Sequence, residues 1–380
     1  MMAFVGVSAQ TTGHFFSSNL FSSGLVTNLC QDKLGILWIA TDYGLNRFDG
    51  YRFQTFLHDD DDPWSICDNG AVSLLCDRQG RVWVGTIHGL DRFDEAAAAF
   101  VHYAFPDGNC PRVTSLLQLS DGRIMVGTAG YGAYVVDAGD SLRPAVGYAG
   151  QGYDRYFSRM YEDSHNRFWK SGSDNCIFMK TGDRLRQFES NGEVIGFTER
   201  DDEVFIVCVR GIMSYRGGQM NTAPVDMSLL AGKEVIFSAV GKDQDDNIYI
   251  GTRGSGVYRM AKGSRRLERY EVSMFGTDMN TATIRGILPD RTGNLWLGLH
   301  RKGLAFVPQV PMQFQSWSLT LQKVDVSSPV SSVCEGDGGT LWCTIQGVGV
   351  YGFDKNGRIV AHPSAPDAVE FIFRDRQGDY

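Results

Sequence analysis

The most constraining feature of this sequence is a motif that keeps returning. Asp32-Lys-Leu-Gly35-Ile-Leu-Trp38-Ile-Ala-Thr41 and Asp77-Arg-Gln-Gly80-Arg-Val-Trp83-Val-Gly-Thr86 are copies of one pattern. Each continues through a glycine turn to an aromatic-Asp ending, Gly44-Leu-Asn-Arg-Phe48-Asp49 and Gly89-Leu-Asp-Arg-Phe93-Asp94. With the tryptophan slot as ruler, the frame recurs at Met125, Trp169, Phe205, Tyr249, Trp296 and Trp342, at intervals of 45, 42, 44, 36, 44, 47 and 46 residues. Such a period implies one supersecondary unit that buries its apolar face only by stacking on its neighbours.

The other slots of the frame say what the unit is. Three residues before the ruler stand Gly35, Gly80, Gly122, Asn166, Asp202, Asp246, Gly293 and Gly339. All are residues that accept the positive φ of a tight hairpin turn. Six before it stand Asp32, Asp77, Asp163, Asp243 and Asp290, with Glu199 in the fifth copy. A carboxylate there can accept the turn's backbone N–H groups, as in an Asx-turn. In the second copy the alternation gives strands at 72–76, 81–85, 90–93 and 100–103. A four-stranded antiparallel unit at this period is a blade of a β-propeller, and the expected fold class is all-β. The 45 glycines among 380 residues then fall largely at turns.

Seven copies run from Trp38 to Trp296 and are followed by Val307-Pro308-Gln309-Val310-Pro311, which suits a rigid linker. The expected organisation is a seven-bladed ring over 14–307, a linker at 308–311, and an incomplete second propeller over 312–380. The segments 14–20 and 313–319 would each supply the outer strand that closes its ring. A ninth frame begins at Asp375-Arg-Gln-Gly378 and stops at Tyr380, before its ruler slot, so the chain reads as an N-terminal fragment. A single eight-bladed ring is the alternative.

Composition excludes several function classes. The net charge is −8, whereas nucleic-acid and anionic-membrane binders need a basic face. No apolar run is long enough for a transmembrane helix. Residues 1–9, ending Val7-Ser8-Ala9, resemble the tail of a secretory signal peptide that has lost its start. The eight cysteines show no CxxC and no metal-ligand spacing with histidine, so neither a metal nor a cofactor is expected. Cys30, Cys76 and Cys334 lie in apolar strand-like runs and read as small buried residues. Disulfide pairing is left open.

The frame D-x-x-G-x-(L/V)-W-(I/V)-(G/A)-T-x-x-G-L-x-R-F-D resembles the regulator-propeller repeat of periplasmic sensor regions in hybrid two-component system proteins. The resemblance covers nearly the whole chain. It implies two seven-bladed propellers ahead of an immunoglobulin-like domain, a membrane helix, a histidine kinase, a receiver and a helix-turn-helix domain. It further implies a periplasmic location, a glycan-derived oligosaccharide ligand and dimerisation through the downstream region. No kinase nucleotide loop or phospho-accepting histidine motif reads from the chain itself.

Candidate binding residues come from the loop after each ruler strand, which varies from copy to copy. These are Asp42, Tyr43, His88, Tyr131, Asp174, Asn175, Arg210, Arg253, His300 and Arg301. Seven blades would bring them to one face. Aromatic rings there could stack on sugars, and the polar groups could meet sugar hydroxyls. The arginines could also hold a carboxylate or sulfate. No catalytic residue is assigned: there is no Ser-His-Asp order and no HExxH, and Asp42 and Asp174 are the only loop carboxylates a propeller lyase or glycosidase could use. A protein-docking scaffold is the other alternative. Asp59-Asp60-Asp61-Asp62, between the first two blades, reads as a hydrated loop.

Overall fold

The computed structural model describes residues 11–137, 139–148, 155–172, 174–274, 278–309, 329–354, 358–364 and 369–375. The signal-like segment 1–9 and all of 310–328, with the expected closing strand at 313–319, lie outside them. The chain divides into two compact units, Met1–Pro311 and Met312–Tyr380.

The first unit holds seven antiparallel sheets in chain order. Sheet one is Val26–Gln31, Leu37–Thr41, Gly44–Phe48 and Phe53–Phe56, and sheet two is Ala71–Cys76, Val82–Thr86, Gly89–Asp94 and Ala99–Tyr103. The strands expected for the second copy are thus present, displaced by one residue at most. Sheet seven, Ile284–Pro289, Leu295–Leu299 and Gly303–Val307, takes its fourth strand from Thr11–Ser17, paired antiparallel to Gly303–Val307. Val272–Met274 then adds parallel to the outside of that strand. The N-terminal strand therefore clasps the two ends of the ring together.

Seven apolar clusters fill the seven gaps between successive sheets. Trp38 and Ala40 of sheet one pack on Leu74, Val82 and Phe93 of sheet two. The seventh gap is closed by Trp296 and Leu304 of sheet seven against Leu29, Leu37 and Phe48 of sheet one. At Gly298 a Cβ would lie 2.6 Å from Val26, so the close approach of those two sheets requires glycine. All seven second strands, such as Leu37–Thr41, are buried along their whole length, which is why the ruler strand is the most apolar part of each repeat.

All eight residues three before the ruler have positive φ, from 56° at Asn166 to 91° at Gly122, as the frame requires. The Asp does more than cap a turn. Asp77 Oδ1 accepts the N–H groups of Gln79 and Arg81, while Oδ2 accepts Nε1 of Trp83 at 2.9 Å. Asp32, Asp163 and Asp290 do the same for Trp38, Trp169 and Trp296, and Asp243 takes the hydroxyl of Tyr249 at 3.0 Å. Each carboxylate satisfies the one polar atom of a ring sunk in the core. Where the ruler is Met125 or Phe205 no such atom exists, and the Asp is gone.

Glu199 is not the fifth copy's version of that Asp. The hairpin there is one residue shorter, so Glu199 pairs with Val204 just as Gln31 pairs with Leu37. At this position the side chain reaches the preceding sheet. Gln31 accepts the Arg291 N–H at 3.0 Å, Gln118 that of Arg78 at 2.8 Å, and Glu199 that of Ser164 at 2.7 Å. In sheet two the position is Cys76, and here the inter-sheet latch is covalent: Cys76 is disulfide-bonded to Cys30, with Cα atoms 6.1 Å apart. The bond supplies a pairing that the sequence left open. Adjacent first strands bring the two residues together, although 46 positions separate them in sequence. Cys334 is only half-buried.

The second unit contributes one four-stranded sheet, Val330–Glu335, Leu341–Ile345, Gly349–Phe353 and Ile359–Ala361, with Cys343, Ile345, Tyr351 and Phe353 as its core.

Candidate functional site: the channel mouth

In each meander the loop after the second strand, the loop after the fourth and the start of the first strand share one end of the sheet. Seven sheets packed side by side carry these ends to one face of the ring, around a central channel. The channel has a volume of about 180 Å³ and is lined by first strands from every sheet. A β-bulge near the start of six of these strands, at Thr27, Val72, Thr114, Ile195, Ser238 and Arg285, turns the extra side chain out of the pairing. Thr27, Thr114 and Ser238 use that position to donate to carbonyls of the next sheet, at Ala71, Phe157 and Ile284.

The expected site residues occupy this face. Asp42, Tyr43, His88, Tyr131, Asp174, Asn175, Arg210, Arg253 and Arg301 are exposed, and His300 is half-buried. Asp42 Oδ1 accepts the Ser23 hydroxyl at 2.6 Å. His88 Nδ1 lies 2.8 Å from Asp68 Oδ2. Asn175 has φ 55°, and its carbonyl accepts both the N–H and the hydroxyl of Ser190, which gives it a turn-forming role. Asp42 and Asp174 stand on sheets one and four, three steps apart around a seven-membered ring.

Asp42, His300 and Arg301 are brought together where sheets seven and one meet. Burial foremost, then the charges of Arg301 and Arg285, hold the His300 ring below its ordinary pKa, while Asp42 acts in the opposite sense. Its Nδ1 is buried without a protein hydrogen-bond partner.

Two channel residues escaped the sequence reading, Arg159 and Arg285. Arg159 donates from Nε to the Ile195 carbonyl and from Nη1 to that of Ser158, both at 2.8 Å. Burial lowers its pKa, and the charge of Arg285 acts the same way against an opposing Glu193. A cation in a bulge slot that elsewhere holds Thr, Val, Ile or Ser is the signal that would have found Arg285. Exposed aromatics stand on the same face: Tyr43 (55% exposed), Tyr131 (48%) and Tyr156 (42%).

One further polar node lies beside it. Asp91, fully buried, accepts the Cys67 N–H at 2.8 Å and pairs with His102 Nδ1 at 2.7 Å. Cys67, Asp91 and His102 lie close enough together to share a metal ion. Sheet one builds the same node without titratable groups. Asn46 accepts the Ser22 N–H at 2.9 Å and the Thr55 hydroxyl at 2.8 Å. The repetition makes the node a loop anchor. Asp59 to Asp62 form an exposed loop tied by its own turn bonds.

This architecture is a β-propeller whose channel mouth forms an open polar and aromatic face. The family model for the two component regulator propeller matches residues 20–43 and 65–88. Among curated proteins, histidine kinase P4 of Formosa agariphila is 36% identical over 66 residues, covering 16% of this chain and 5% of the kinase. Among solved structures, the extracellular domain of a hybrid two component system from B. thetaiotaomicron has a TM-score of 0.66 at 21% identity, covering 96% of this chain and 50% of that one. Virginiamycin B lyase from Staphylococcus aureus has a TM-score of 0.63 at 13% identity, covering 78% of this chain and 98% of the lyase. The chain thus spans half the length of that extracellular domain and a small fraction of the kinase.

Proposed function

We propose that this chain is the ligand-sensing propeller of an extracytoplasmic two-component signalling protein, and that its channel-mouth face binds an oligosaccharide. The observation that carries the reading is the pairing of regulator-propeller repeats with one face rich in exposed aromatics and hydrogen-bonding side chains. Sugars need both, stacking surfaces for their ring faces and directional partners for their hydroxyls. The disulfide between Cys30 and Cys76 fits an oxidising compartment such as the periplasm. Ligand binding would be relayed to a histidine-kinase region, with a homodimer as the signalling form.

Thermal-shift titration against a panel of oligosaccharides tests the reading, since a ligand bound by the native state alone raises the melting temperature. A saccharide that does so, with the gain lost in a Tyr43→Ala/Tyr131→Ala variant, supports it. Turnover of a saccharide that disappears in Asp42→Asn or Asp174→Asn would replace sensing with catalysis. Capture of a protein partner through the same face, with no saccharide bound, would make it a docking scaffold.

A further inference from the structure

The lining of the central channel carries an excess of positive charge. Arg159 and Arg285 are the only charged side chains among its described lining residues, and no carboxylate lines it. This is notable in a chain of net charge −8. Four of the five lining hydroxyls are committed: Thr27, Ser73, Thr114 and Ser238 donate to backbone carbonyls of the neighbouring sheet. The guanidinium of Arg159 is half used, its Nε and Nη1 bound to carbonyls. Arg285 is exposed to the channel and makes no hydrogen bond or ion pair with any described residue. Arg301 and His300 stand over it on the mouth.

The five N–H donors of Arg285, with the unused ones of Arg159, in a recess where water is confined by low-dielectric walls, form a receptor for a planar or tetrahedral oxyanion. We infer that the glycan bound at the mouth is acidic, and that its carboxylate or sulfate group enters the channel to pair with Arg285, Arg159 lying behind it. The inference rests on the oligosaccharide reading of the same face and narrows it to one substrate class. Neutral parts of the saccharide would lie outward, against Tyr43 and Tyr131.

Three probes separate the possible sources of the anion: oligogalacturonate, with carboxylates alone; a carrageenan oligosaccharide, with sulfates alone; and manno-oligosaccharides, with neither. Affinities would be measured calorimetrically on this chain at low and high salt. The expected result is binding of one acidic probe, weakened at least tenfold in Arg285→Ala and Arg285→Gln, and unchanged in Arg52→Ala, which removes an exposed cation from the opposite face. Binding should also weaken as salt rises. Binding of the neutral probe alone, or an acidic probe held within twofold by Arg285→Ala, overturns the inference and leaves the sugar-sensing reading standing. If no saccharide binds, the sensing reading fails instead. Inorganic sulfate then still decides the arginine site. It should raise the melting temperature of the native chain more than that of Arg285→Ala, and equal shifts would sink the proposal.

Discussion

Sheets one and two are consecutive copies of one repeat, and they differ most at the node that ties each sheet to its incoming loop. In sheet one the node is neutral, with Asn46 holding Ser22 and Thr55. In sheet two the same backbone geometry is served by buried Asp91 holding Cys67 and His102. The repeat thus specifies a hydrogen-bonding geometry and leaves the chemistry free. Neutral partners make a node indifferent to pH, whereas an ionised pair makes it pH-dependent and far less tolerant of losing one member.

The largest effect expected in this region comes from the covalent latch between the two sheets. In the chain-entropy model, closing a loop of this length is worth about 4 kcal/mol, so Cys30→Ser/Cys76→Ser should lower the melting temperature by several degrees. An unchanged melting curve under reductant would mean that the Trp38 cluster holds the sheets together unaided. Next comes Asp91→Ala, which strands a buried N–H and the His102 ring and should cost about 2–3 kcal/mol in denaturant unfolding. Asn46→Ala should cost about 1–2 kcal/mol. Equal losses would erase the distinction between the nodes.

Smaller again is Trp83→Phe. It removes the ring N–H that Asp77 accepts and should cost about 1 kcal/mol, while Phe205 shows that the repeat otherwise accepts Phe in this slot. The smallest effect is titration at sheet two. The hydrogen bond to Asp91 foremost, and its charge, raise the His102 pKa above the ordinary value of 6.5 against the opposing effect of burial. A raised folded pKa means that the stabilisation is fully present below about pH 6.5 and fades as pH rises through the folded value. The melting-temperature deficit of His102→Asn should therefore be larger at pH 5.5 than at pH 9. No trend, or a reversed one, would remove the electrostatic part of the comparison.

Much of the fold was legible because the repeat is periodic in the quantities that local sequence controls. The positive-φ residues at the turns, the tryptophan slot and the boundaries of the second sheet all follow from turn chemistry and from alternation of apolar residues. The site was legible only in part. Loop position placed Asp42, His88 and His300 on one face, but nothing in the repeat frame tells a turn-former such as Asn175 from a binding group. Arg159 and Arg285 were hidden because the strand carrying each looks like any other first strand, and only the ring turns their side chains toward one channel. Glu199 was misassigned because counting back from the ruler ignores a shortened hairpin. Pairing register, which depends on both strands, resolves it.

By itself the sequence determined the unit: four strands, an aspartate that caps the hairpin turn, and turns that need glycine, asparagine or aspartate. Those are contacts within one repeat, between residues a few positions apart. The tertiary structure decided what joins repeats. It showed Thr11–Ser17 closing sheet seven, Gln31 and Glu199 reaching the preceding sheet, Cys30 bonded to Cys76, and two arginines sharing a channel. These pairings depend on how far one sheet turns relative to the next, a quantity that no single repeat encodes and that only closure of the ring sets.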